Sequence, residues 1–83
     1  MVVEIDEPVT VGVVFDPARG GVRPVWLVWQ GRKRVLREVT LRWQGKEGRA
    51  TLAYFSVTDG MQLYELCLNT EQLAWRLTKV ETS

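Results

Sequence analysis

Residues 51–68, TLAYFSVTDGMQLYELCL, decide the fold class. Two runs rich in strand formers flank Asp59-Gly60. Asp-Gly accepts the positive φ angles of a two-residue hairpin turn, so the stretch predicts a β-hairpin with Asp59-Gly60 at its tip. That register sets Val57 opposite Gln62, Phe55 opposite Tyr64, Ala53 opposite Leu66 and Thr51 opposite Leu68. These side chains share one mostly apolar face. Leu52, Tyr54, Ser56, Leu63, Glu65 and Cys67 take the other, because successive strand residues point to opposite sides.

The same grammar extends in both directions. Turn signals fall at Asp16-Pro17-Ala18-Arg19-Gly20-Gly21, at Gly31-Arg32 and at Gln44-Gly45-Lys46-Glu47-Gly48, with a weaker one at Asn69-Thr70-Glu71. Strands are expected near 9–15, 22–30, 34–43, 49–58, 61–68 and 73–80, with residues 2–5 as a short edge strand ended by Pro8. Residues 71–79 also fit a helix of two turns. The expectation is one all-β domain over residues 1–83, a small antiparallel meander of five to seven strands curled into a barrel or half-barrel.

A turn at Gly31-Arg32 pairs Trp29 with Arg34, Val28 with Val35, Leu27 with Leu36 and Trp26 with Arg37. One face then holds Val22, Pro24, Trp26, Val28, Val35, Val39, Leu41 and Trp43, plus Arg37, and reads as core. The opposite face holds Arg23, Val25, Leu27, Trp29, Arg34, Leu36, Glu38, Thr40 and Arg42, with its cations and Trp29 turned outward. Its aliphatic centre needs a cover: the N-terminal strand, a second copy of the chain, or a partner.

Composition narrows the chemistry. The chain has 83 residues, 46% hydrophobic and 25% charged, a balance that supports a packed core rather than disorder. A single cysteine, Cys67, excludes an internal disulfide and reads as a buried, inert thiol in an apolar run. Histidine, the commonest general base and metal ligand, is absent. No nucleophile motif, phosphate-binding glycine loop or EF-hand spacing occurs. A non-enzymatic protein without cofactor or metal is expected. No apolar run approaches the ~18 residues of a membrane helix. The start, Met1-Val2-Val3-Glu4, has no basic n-region, so a cytoplasmic protein is expected.

The formal net charge is only +1, yet it is unevenly spread. Glu4, Asp6, Glu7 and Asp16 make the first 17 residues acidic, with no base among them. Residues 18–50 hold Arg19, Arg23, Arg32, Lys33, Arg34, Arg37, Arg42, Lys46 and Arg49 against only Glu38 and Glu47. A basic middle of this kind points to an anionic partner, or else to ion pairs with the acidic ends of the same chain. Three readings follow. Arg23, Trp29, Arg32, Lys33, Arg34 and Arg42 form a candidate single-strand nucleic-acid platform, arginine and tryptophan being suited to phosphate contact and base stacking. Trp29 beside arginine reads equally as an internal cation–π pair. Val25, Leu27, Trp29 and Leu36 form a candidate protein interface, the simplest version being a homodimer.

The run Trp29-Gln30-Gly31-Arg32-Lys33-Arg34-Val35-Leu36-Arg37-Glu38-Val39 followed by Trp43, and later Val57, Gly60, Tyr64-Glu65-Leu66, Trp75, Leu77 and Val80, carry a resemblance. Across residues 22–80 the chain resembles a small bacterial domain family of unknown function. That family occurs alone or at the C-terminus of Y-family, translesion-type DNA polymerase homologues. The resemblance implies a DNA-repair setting without naming an activity and carries over no catalytic residue; with the basic middle segment, the expected partner is single-stranded nucleic acid or a DNA-repair protein. The link from Trp43 to Ala50 is shorter here than the inserts of that family.

Overall fold

The structure is a computed structural model and describes residues 1–19 and 21–82. The Gly20 portion of the expected 16–21 loop lies outside the described residues. Eight strands are present among them: β1 (Val2–Pro8), β2 (Thr10–Asp16), β3 (Gly21–Trp29), β4 (Arg32–Val35), β5 (Glu38–Glu47), β6 (Ala50–Thr58), β7 (Gln62–Asn69) and β8 (Ala74–Thr82). A single 3-10 turn, Pro17–Arg19, joins β2 to β3. Residues 74–82 are strand, which settles the helix alternative. Asn69 fixes the preceding turn: its side-chain oxygen accepts from the N–H groups of Glu71 and Gln72. No helix of the described residues is long and apolar enough to cross a membrane.

All strand pairings are antiparallel. One sheet runs β1-β8-β7-β6-β5 and the other β2-β3-β4. The expected strand over 34–43 is two strands. β4 ladders with β3, and Leu36 N–H still reaches Val25 O at 2.9 Å. One residue later Arg37 N–H bonds Thr58 O at 2.7 Å, so the chain has changed sheets. β1 and β2 do the same around Val9, whose N–H bonds Trp75 O at 3.2 Å before Thr10 pairs with Val28.

Two turns differ from expectation in a way that keeps the faces. Thr58 pairs with Leu63, so the β6–β7 tip spans four residues. Asp59 Oδ1 accepts from Met61 and Gln62 N–H (2.8 and 2.9 Å), and only Gly60 has positive φ. A type I′ turn needs positive φ at both central residues, so an Asx-type loop has replaced it. Val57 therefore faces Tyr64, Phe55 faces Leu66 and Ala53 faces Leu68, each two residues from the expected partner. In the β3–β4 hairpin the tip is Gln30-Gly31, both at positive φ, and Trp29 pairs with Arg32. The 44–48 turn is also corrected: β5 runs through Gly45 to Glu47, and the tip is Gly48-Arg49.

The core lies between the sheets. Leu27 and Leu36 meet Phe55, Val57, Tyr64, Leu66, Leu77 and Val80. Removing such an apolar side chain from water contributes about 1.5–3 kcal/mol. The face assigned as outward around Leu27 is thus the inward one, while Val35, Leu41 and Trp43 of the face assigned as core are exposed (Val35 by 67%), and its Val22, Pro24 and Val39 do lie inward. The five-stranded sheet of the same chain covers Leu27 and Leu36. As a result the expected interface of Val25, Leu27, Trp29 and Leu36 is no free surface.

Candidate nucleic-acid interface

Bulges distribute the basic residues. On β3 the pairing steps from Gly12↔Trp26 to Val13↔Pro24, leaving Val25 as the extra residue. The alternation reverses there. Pro24 turns inward and is buried, and Val22 packs against the core. Arg23 thereby falls on the same outer face as Trp26. On β4, Lys33 lies opposite Val28, on that face as well.

This outer face of the three-stranded sheet has a defined centre. The Trp26 ring lies directly against the backbone of Gly12: a β-carbon on Gly12 would come within 2.0 Å of ring atom Cε2. A glycine inside a strand commonly marks such a close approach. The Lys33 ammonium sits over the Trp26 ring, 5.1 Å from its centroid. Val14 and Val35, both exposed, flank it. Arg23 completes the face, and its Nε is enclosed without an acceptor among the described residues.

The other expected contact residues go elsewhere. Trp29 is half-buried against the core. Arg34 points inward, with its guanidinium 4.9 Å from the Trp29 ring centroid and 5.9 Å from that of Tyr64. Its Nη1 donates to the Tyr64 hydroxyl at 3.3 Å, and that hydroxyl donates to Asp59 Oδ2 at 2.8 Å. Burial pushes the Tyr64 hydroxyl above its usual pKa, and donation to Asp59 adds to this. Arg34 and Trp29 are therefore the internal cation–π pair rather than a stacking platform. A bulge at Thr40 turns Arg42 over the Phe55 ring (5.3 Å), where its Nη1 donates to Val22 O. The same bulge sends Trp43 to the outer side, correcting its assignment to the core. Arg32 is exposed at the hairpin tip.

Six expected residues thus do not make one plane. Arg23 and Lys33 share a face, Arg32 lies opposite Trp29 at the hairpin tip and so belongs to the other side of the sheet, and Trp26 replaces Trp29 as the aromatic member of the outer face. Sequence reasoning missed Trp26 because the β3 bulge hides from a simple alternation. Gly12, a glycine inside a valine-rich strand, was the available signal.

The charge pattern is equally specific. Arg76 and Asp6 form an ion pair at 2.8 Å. Among the described residues no carboxylate lies within ion-pair distance of Arg23, Arg32, Lys33, Arg34, Arg37, Arg42, Lys46 or Arg49. Arg23 and Lys33 therefore have no ion-pair partner at the acidic ends among the described residues. Compared with protein-family models, with curated proteins and with solved structures, the chain matches none.

Proposed function

We propose that the outer face of the three-stranded sheet contacts single-stranded nucleic acid. Lys33 and Arg23 would hold the phosphates, and Trp26, seated on Gly12, would offer its outer face to a base as the Lys33 ammonium above it turns to a phosphate. The observation that carries this reading is the unneutralised charge: two cations and a tryptophan share one sheet face, and no carboxylate of the described chain pairs with them. In the repair setting that the resemblance implies, the partner is a single strand exposed at damaged DNA. The reading is of a binding module without catalysis of its own.

The proposal extends to the architecture. Residues 2–16 and 32–47 each hydrogen-bond to both sheets, which supports reading the eight strands as a six-stranded barrel with two bent staves. Such a closed meander offers a rigid strand face to a flexible ligand.

The test is fluorescence anisotropy with a labelled single-stranded oligonucleotide at ~50 mM salt, a regime that favours phosphate contacts. Binding is expected, with log K falling by about 0.7 per tenfold rise in salt for each phosphate held. Arg23→Glu with Lys33→Glu abolishes it. Absence of binding by the unsubstituted protein at that salt rejects the proposal.

A further inference from the structure

A second concave surface lies on the far side of the five-stranded sheet, where Glu47, Leu52, Tyr54, Cys67 and Arg76 project away from the core. Leu52 and Cys67, both buried, floor a groove of about 460 Å³ that Tyr54, Glu47, Asp6 and Arg76 border. The volume suits a side chain or a short peptide. Tyr54 stacks on Trp43 with ring centroids 5.2 Å apart and planes 2° from parallel. Gly45 lies close beneath Tyr54: a β-carbon there would stand 3.1 Å from ring atom Cε2. The aromatic pair therefore lies low over the strands as a flat π surface.

The charges in this groove are unequal. Arg76 is engaged by Asp6, through Nε to Oδ1 and through Nη2 to the backbone carbonyl. Glu47 has no ion-pair partner among the described residues, and Glu65 accepts from the Thr78 hydroxyl. Glu65 and Lys79 are cross-strand neighbours without an ion pair between them. Burial pushes Tyr54 and Cys67 above their usual pKa values, and the carboxylates of Glu47 and Glu65 push both further. An apolar floor, a π surface and an unneutralised carboxylate suit a cation carried on an aliphatic stem.

We propose that this groove docks a basic peptide segment of a partner protein, an arginine or lysine stem lying on Leu52 and Cys67 with its cation over Tyr54 and toward Glu47. The surface is separate from the three-stranded face, so the two proposals fail independently. The test is an NMR titration of the ¹⁵N-labelled chain with acetyl-Gly-Arg-Gly-Arg-Gly-amide and with its citrulline counterpart, which keeps the shape and loses the charge. Saturable shifts at the amides of Glu47, Leu52, Tyr54 and Cys67 are expected. Affinity falls at least fivefold for the citrulline peptide and for Glu47→Gln, whose spectrum reports whether the fold is kept. Tyr54→Leu serves as a second variant with the same expected loss. Equal binding of both peptides, shifts confined to other surfaces, or shifts that follow protein concentration alone and so reveal a second copy in the groove, each overturn the proposal.

Discussion

Trp26 rests against Gly12 so closely that no other residue at position 12 leaves the ring where it is. Gly12→Ala forces the indole off the sheet and exposes apolar surface on both. A destabilisation of about 1–3 kcal/mol is expected, the usual range for overpacking a filled site. Thermal unfolding measures it, and a red shift in tryptophan emission reports the displaced ring. An unchanged melting temperature would remove Trp26 as the fixed centre of the outer face.

Arg34, Tyr64 and Asp59 form a chain of two hydrogen bonds that reaches from β4 to the β6–β7 turn. Tyr64→Phe removes the middle member and leaves both partners short of a contact. The expected loss is about 1–2 kcal/mol in urea unfolding, the scale of one or two polar contacts.

The same chain predicts an acid sensitivity. Burial alone raises the Asp59 carboxyl, yet the N–H groups of Gln62 and Met61 and the Tyr64 hydroxyl outweigh it and hold its pKa below the ordinary value. The folded state therefore binds this proton less readily than the unfolded chain. Stability from this group is complete above the unfolded range near about pH 4 and is lost as pH falls through the folded value. Urea midpoints between about pH 5 and pH 2 should fall less steeply for Asp59→Asn than for the parent.

Leu27 is fully buried by the chain's own second sheet. Leu27→Ala is expected to cost about 2–5 kcal/mol, as large-to-small core changes do. The mass seen by light scattering stays as in the parent. A change of mass without loss of stability would restore Leu27 as a subunit contact.

Gln30 holds φ near 54°, a conformation that asparagine adopts more readily. Gln30→Asn gives the hairpin the Asn-Gly tip preferred for this turn. A gain of about 0.5 kcal/mol or more is expected in chemical unfolding.

Strand content and most side-chain faces could be read from the residues, because alternation survives small errors of register. The β6–β7 hairpin shows why. Asp59 uses its side chain to lengthen the turn, yet the added residues come in a pair, so Phe55, Val57, Tyr64 and Leu66 still share the inner face. The candidate site was less legible. Val25, the step at Leu36-Arg37 and Thr40 each interrupt the alternation between residues 22 and 43, and a change of phase does not show in a segment that is largely apolar on both faces. Leu27, Trp29, Arg34 and Leu36 were legible as one face and Arg23 was not, but which side met the core depended on the second sheet. Tertiary pairing decided that, and it placed Arg34 inside and Trp26 outside.

The strand runs through Val9 and Leu36 tie both sheets into one cooperative unit. A backbone cut at either crossing would separate a pair of ladders that now share a single covalent rib. Neither fragment would keep Leu27 enclosed, so the molecule should exchange its deepest amide protons only by opening as a whole.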